Sequence, residues 1–202
     1  MLGYRDSGMV GTPDNFNALC LHQANASDVV GSIVRIIREL RPQVLLTHDP
    51  TGGYGHPDHI AISAHTTTAF YEAGDPTKYP DQISGGLDPW TPRTLQYSVF
   101  PKSRYIWLEA AMAEAGIDPP FSVEDRKSLG VPDDMVTTAV DVSDYADTKL
   151  AALYCHQTQA GTFAFFRYIP NNILVEFLST EHFHSVDPIH HGVGTDLLEG
   201  LT

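Results

Sequence analysis

The run Thr47-His48-Asp49-Pro50-Thr51-Gly52-Gly53-Tyr54-Gly55-His56-Pro57-Asp58-His59 places three imidazoles and two carboxylates around a glycine-rich turn. Core packing does not account for such polar density. Just before it, Val44-Leu45-Leu46 reads as a short buried strand. Just after it, Ile60-Ala61-Ile62-Ser63-Ala64 opens a helical segment, with Pro57 where a first helical turn tolerates proline. A strand, a polar loop and a helix start make a ligand site. In open α/β sheets the crevice beyond the carboxyl ends of the strands receives ligands, and this loop would lie there.

The remaining pattern agrees with that class. Residues 1–25 hold glycines, Pro13, Asp14 and asparagines with little periodicity, so they read as loop. From Ser27, a good N-cap, Val29, Val30, Ile33, Ile36, Ile37 and Leu40 recur at three- and four-residue steps, predicting an amphipathic helix up to Arg41-Pro42. Val44 to Thr47 is the first strand. A second helix runs from Pro57 to Glu72, stopped by Gly74-Asp75-Pro76, and residues 74–93 read as loop. Thr94 to Phe100 alternates as a second strand, Tyr105 to Ala115 as a helix, and 117–134 as a surface excursion. Val136 to Val142 predicts a third strand, with a helix from Ser143 through Leu150, Leu153 and His156. The aromatic run Phe163, Phe165, Phe166 and Tyr168 leads to Pro170, which opens a helix through Leu178, and Glu181 to Val186 reads as a last short strand. With no repeat or linker, residues 1–202 are expected to form a single domain.

Bulk properties exclude several partners. A net charge of -13 repels nucleic acid and anionic membrane surfaces, whereas a small neutral or cationic ligand meets no such barrier. A hydrophobic content of 42% suffices for a sizeable core. Two cysteines cannot make a disulfide framework. Cys155, within the apolar pattern of Leu150, Leu153 and Tyr154, is expected to be a buried free thiol, which points to a reducing cytoplasm. The start, Met1 to Gly8, lacks a basic stretch followed by an apolar run, and no apolar span reaches membrane length.

His56 and His59 are three residues apart at a helix start, so their side chains share one face and can converge. The helix N-terminus adds positive potential, which suits an oxyanion or a metal-bound hydroxide. The plainer alternative is that His56 caps the helix and His59 lies on the surface. Gly52-Gly53-Tyr54-Gly55 in front and Asp58 between them favour a site.

The segment from Gly52 to His59, together with Leu2-Gly3-Tyr4-Arg5-Asp6-Ser7-Gly8-Met9, resembles the LmbE-like or PIG-L family of zinc-dependent deacetylases, and most of all its mycothiol branch of deacetylases and conjugate amidases. Asp141 to Tyr145, His156 to Gln159 and Thr180 to Phe183 carry weaker likeness. The resemblance implies a Rossmann-like three-layer α/β sandwich with a mostly parallel sheet. It also implies zinc-dependent hydrolysis of the amide of an N-acylated glucosaminyl substrate, such as a mycothiol precursor or conjugate. His59 would match the zinc ligand, and His56 the histidine that acts as general acid or stabilises the oxyanion. Asp58 would orient an imidazole, Tyr54 would donate to the oxyanion, and Arg5 and Asp6 would hold sugar hydroxyls. As bland alternatives, Arg5 and Asp6 form a surface ion pair and Tyr54 merely covers the loop.

One family element has no counterpart here. Family members carry Ala-His-Pro-Asp-Asp-Glu near their N-terminus, supplying a zinc histidine, a zinc aspartate and the general-base aspartate. A catalytic zinc takes three protein ligands, and the motifs present supply one, His59. The chain is therefore expected to be an N-terminally truncated portion of the family fold with little or no deacetylase activity. The alternative from another class is a non-catalytic sugar- or partner-binding remnant. A third reading recruits His48, His56 and His59 as a ligand set. It is disfavoured because His48 and Asp49 precede the turn and would have to point across the loop.

Overall fold

The computed structural model describes residues 1–118, 129–156, 168–186 and 194–198. They divide between two compact units, one built mainly from Met1–Ser98 and the other mainly from Val99–Phe183.

In the first unit, helix α1 spans Ala26–Leu40. Its cap is Asn25 rather than Ser27, because the Asn25 side chain accepts from both the Ser27 and Asp28 N–H groups. Arg41 closes the helix in a left-handed conformation and returns its N–H to Ile37. Strand β1, Val44–His48, pairs in parallel with β2, Thr94–Val99, in a register that sets Val44 opposite Thr94 and His48 opposite Ser98. Between them lie the tight turn α2, Gly52–Gly55, helix α3, Pro57–Glu72, and the short α4, Pro80–Ser84, within the segment read as loop. Val30, Val34 and Ile37 of α1 pack against Ala69 of α3 and against Ala73, with Leu45 of β1 and Trp90 beside them. The small alanines let the two helices approach closely, while the β-branched residues fill the space between.

Arg38 lies on the buried side of α1, at 1% exposure. It donates to the carbonyls of Ala73, Asp75, Lys78 and Tyr79 and to Gln82 Oε1. One guanidinium thus closes the turn after α3 and seats α4. Five donors in a planar fork suit that task, whereas an apolar residue would leave the Lys78 carbonyl and Gln82 Oε1 without this donor.

The second unit holds α5, Lys102–Glu114, β3, Thr138–Asp141, α6, Ala146–Tyr154, α7, Asn171–Leu178, and, up to Phe183, the strand β4, Thr180–Ser185. Leu108 and Met112 of α5 meet Leu150 of α6 and Ile173, Leu174, Phe177 and Leu178 of α7 in one cluster. β3 and β4 pair antiparallel, with Thr138 opposite Phe183. The α/β class stands, with β1 and β2 paired in parallel and β3 and β4 antiparallel. Cys155 corrects an expectation: it is exposed, because α6 ends at Tyr154 and Cys155 falls past the last turn. The aromatic run Phe163 to Phe166 and residues 157–159 lie outside the described residues. Among the described residues no helix is long and apolar enough to cross a membrane.

Candidate active site

The site forms where β1 delivers the chain into the glycine turn and α3 begins. Gly52, Gly53 and Gly55 all take positive φ, of 68°, 74° and 83°. Asp49, almost fully buried, organises the entry by accepting from the N–H groups of Thr51 and Gly53 and from the Thr51 hydroxyl. Gly52 is required for a second reason. A Cβ there would stand 2.9 Å from His59 Cβ and from the backbone nitrogen of Ile60, well inside contact distance.

His56 is both cap and candidate catalyst. Its Nδ1 accepts from the Asp58 N–H at 3.2 Å, so it satisfies a free donor of the first turn of α3. In the neutral ring the proton therefore sits on Nε2, and Nε2 lies 3.8 Å from Asp6 Oδ1. His56 is buried, whereas Asp6 is exposed.

His59 is held by its other nitrogen. Nδ1 contacts the Gly52 carbonyl at 3.2 Å, and because a carbonyl only accepts, Nδ1 carries the proton. Nε2 then keeps its lone pair, the arrangement in which a carbonyl on one ring nitrogen orients the other toward a metal. Burial is the main cause lowering the His59 pKa, with His48 adding to it, which favours the neutral ligating form.

Tyr54 stands edge-on to both rings, with centroids 6.2 Å from His56 and 5.2 Å from His59. Desolvation first, and the Asp6 charge second, raise its pKa, so the phenol remains a donor. It covers the loop and faces the imidazoles at once.

Two residues occupy places the sequence did not indicate. The carboxylate of Asp58 does not reach an imidazole to orient it. Its oxygens accept from the Ser7 and His22 N–H groups, each at 2.8 Å, and only its backbone N–H meets His56. Asp58 thereby ties the segment bearing Arg5 and Asp6 to the start of α3. Asn15 supports that tie by donating to the Ser7 carbonyl at 2.6 Å. His48, expected to stay clear of His59, lies directly against it, with ring centroids 4.0 Å apart and planes 7° from parallel. The available signal was position: His48 is the last residue of β1, at the carboxyl end where ligand crevices open.

Arg5 and Asp6 do not pair with each other. Arg5 meets Asp14 in an exposed ion pair at 2.6 Å, and Asp6 accepts from the Gly8 N–H. Both nevertheless belong to the strip that Asp58 anchors.

A zinc ion needs several of these donors to converge on one point. Asp6, His56 and Asp58 bring one ligand atom each within 4.8 Å of one another, the one group of three possible ligands among the described residues. It does not include His59, and both oxygens of Asp58 already accept from backbone donors. The ligand set of His48, His56 and His59 fails on geometry. Imidazole lone pairs lie in the ring plane, and two stacked rings with centroids 4.0 Å apart and planes 7° from parallel offer no common point for one ion. These residues alone do not close a three-ligand zinc centre.

Comparison with known proteins follows the same lines. The family described as PIG-L, GlcNAc-PI de-N-acetylase, matches residues 1–70. A 1D-myo-inositol 2-acetamido-2-deoxy-alpha-D-glucopyranoside deacetylase of Thermobifida fusca is 39% identical over 96% of this chain and 68% of its own length. The same-named proteins of Geodermatophilus obscurus and, numbered 2, of Frankia alni are 38% and 35% identical over 91% and 89% of this chain. This chain spans 62% of the length of each of those two relatives. Among solved structures, the N,N'-diacetylchitobiose deacetylase of Pyrococcus horikoshii shares the fold, with a TM-score of 0.51 at 16% identity, covering 82% of this chain and 54% of that one. On the extent of these matches, the chain belongs to the PIG-L, GlcNAc-PI de-N-acetylase family.

Proposed function

We propose that this chain carries one side of an amide-hydrolysing centre for an N-acetylated glucosaminyl-inositol, with deacetylation preferred over conjugate amidase chemistry. The observation that carries this reading is the opposed hydrogen bonding of the two histidines, His59 Nδ1 on a carbonyl and His56 Nδ1 on an N–H. His59 presents a bare Nε2 with its proton directed to Gly52, and His56 presents Nε2–H with its bare nitrogen on the Asp58 N–H. One ring is prepared to ligate and its neighbour, 4.8 Å away, to donate. The deacetylase names of the relatives supply the substrate class.

In this reading His59 is a zinc ligand. Zinc bound there supplies Lewis acidity at neutral pH without redox chemistry. His56 Nε2–H donates to the oxygen that becomes negative as water adds to the acetyl carbonyl, helped by the positive end of α3. Tyr54 adds a second donor from its phenol. When the C–N bond breaks, the products are acetate and the free amine, and the proton needed by the amine can pass through His56. Asp6 and the guanidinium donors that Arg5 does not use on Asp14 meet sugar hydroxyls. Asp58 holds that strip in reach.

His59 does not complete a zinc centre with the described residues, so the proposal includes little or no turnover by this polypeptide alone. The same observation favours the second reading, a non-catalytic sugar-binding chain that keeps Arg5, Asp6 and Tyr54. The test is to titrate zinc and N-acetylglucosaminyl-inositol, singly and together, while measuring acetate. The expected result is sugar binding weakened by Asp6→Ala, zinc binding lost in His59→Ala, and acetate near background. Stoichiometric tight zinc with steady acetate release would overturn the incomplete-centre claim. Sugar binding without His59-dependent zinc would favour the second reading.

A further inference from the structure

We propose that His48 is a positioning residue that locks the ring of His59 by stacking on it and is not itself a ligand. The inference rests on the reading of His59 as a metal ligand, but its structural content does not depend on a metal. Four neighbours surround the His59 ring, one of them the tilted His56 ring at 4.8 Å. The Gly52 carbonyl holds Nδ1 at 3.2 Å, the Tyr54 ring stands edge-on at 5.2 Å, and the His48 ring lies flat against one face at 4.0 Å. A hydrogen bond at one nitrogen alone leaves the ring able to tip about that contact. A flat neighbour removes the tipping freedom because a tilted ring would collide with it.

His48 is suited to this by where it sits. It is the last residue of β1, whose ladder with β2 extends to the pair His48 and Ser98, so its backbone is fixed by strand pairing. His59 lies in the first turn of α3, whose cap is His56. The stack therefore joins the strand end to the helix start across the glycine turn, two supports that are each rigid while the turn between them is built on positive φ. It also shields one face of the His59 ring from solvent. Parallel planes prevent His48 from sharing an ion with His59, so its influence on any metal passes through His59.

What this requires of the residue at position 48 is a flat ring, not a nitrogen. His48→Phe keeps the ring and removes both nitrogens, and His48→Ala removes the stack. Zinc affinity, read by direct titration because one protein ligand binds weakly, should fall about 10- to 100-fold in His48→Ala, the usual cost of losing a contact that orients a ligand, and stay within about threefold in His48→Phe. In parallel, the ring nitrogens of His59 are read by 15N NMR in the metal-free chain. A single Nδ1–H tautomer is expected in the unchanged and Phe chains, and an exchanging mixture in the Ala chain. Should alanine compromise folding, His48→Leu fills the space without a flat face and is expected to behave as the Ala chain in both measurements.

An unchanged tautomer and affinity in the Ala or Leu chain would overturn the proposal. Equal loss in the Phe and Ala chains would also overturn it and make a nitrogen of His48 the active group. If the unchanged chain bound no zinc while the tautomer pattern followed the stack, the metal reading of His59 would fall and the positioning role would stand.

Discussion

Gly52 and His59 are matched to each other twice over. The carbonyl of Gly52 receives the Nδ1 proton of His59 at 3.2 Å, and the absence of a Cβ on Gly52 leaves the space in which His59 Cβ sits. The same glycine also adopts φ +68°, a conformation that side chains rarely take. The glycine therefore shapes the turn and positions the imidazole seven residues on.

Gly52→Ala should accordingly do more than strain the turn. Backbone strain of this kind costs on the order of 1–3 kcal/mol, and the new methyl must displace His59 or Ile60 as well. Urea denaturation should show the loss, and zinc binding should weaken beyond what Gly53→Ala produces, since nothing lies near a Cβ built on Gly53. Equal effects at the two positions would refute the pairing with His59.

Asp58 accepts from two backbone donors of the N-terminal segment, so Asp58→Ala should release that segment. Leaving the Ser7 and His22 N–H groups without their acceptor should cost about 1–3 kcal/mol. Asn at this position keeps one acceptor oxygen and should fall between. Amide hydrogen exchange at Ser7 and His22 should accelerate in both variants, and unaltered protection there would show that the carboxylate does not tie the segment down.

Acid should destabilise the first unit through the stacked imidazoles. Burial, as the largest cause, lowers the pKa of both His48 and His59 from the ordinary 6.5. As pH falls below about 6.5, the unfolded chain takes up protons that the folded chain does not, so unfolding becomes easier until the lowered folded pKa values are passed. Urea midpoints at pH 7.5 and 5.5 measure the drop. His48→Phe removes one titrating ring and the charge that opposes protonation of His59, so its drop should be smaller. An identical drop in both chains would assign the acid sensitivity to other groups.

Arg38→Met should be more damaging than its distance in sequence from the motif suggests. The methionine fills similar volume but leaves the Lys78 carbonyl and Gln82 Oε1 without their donor, whereas the carbonyls of Ala73, Asp75 and Tyr79 keep the N–H groups of Trp90, Lys78 and Gln82. A loss of at least about 2 kcal/mol is expected by chemical denaturation, since each orphaned buried acceptor costs about 1–3 kcal/mol. A change under about 0.5 kcal/mol, the range of ordinary surface substitutions, would show that these acceptors find water instead.

Much of this architecture was legible from local chemistry. The bounds of α3, from Pro57 to Glu72, follow from a proline allowed at N1 and from the Gly74-Asp75-Pro76 stop. A strand beginning at Val44 follows from its apolar run before a polar loop, but the run is not buried as that pattern predicts, since Val44 and Leu45 are half-buried and Leu46 is exposed. The cap of α1 was displaced by two residues because Asn25 and Ser27 are both good caps, and only the backbone geometry selects which side chain meets the free N–H groups. Cys155 was misplaced because an apolar pattern in a helix does not reveal which turn is the last.

At the site, the residue types and their spacing determined by themselves that His56 and His59 share the start of one helix behind a glycine turn, since helical periodicity and proline placement are local properties. Tertiary structure alone decided the rest. Asp58 turned to Ser7 and His22, Arg5 to Asp14, and His48 to the face of His59, because each of these contacts joins segments whose approach depends on how strand, turn and helix pack. A carboxylate's partner or a ring's orientation is set by which donors and faces arrive nearby in space, and no local pattern encodes that.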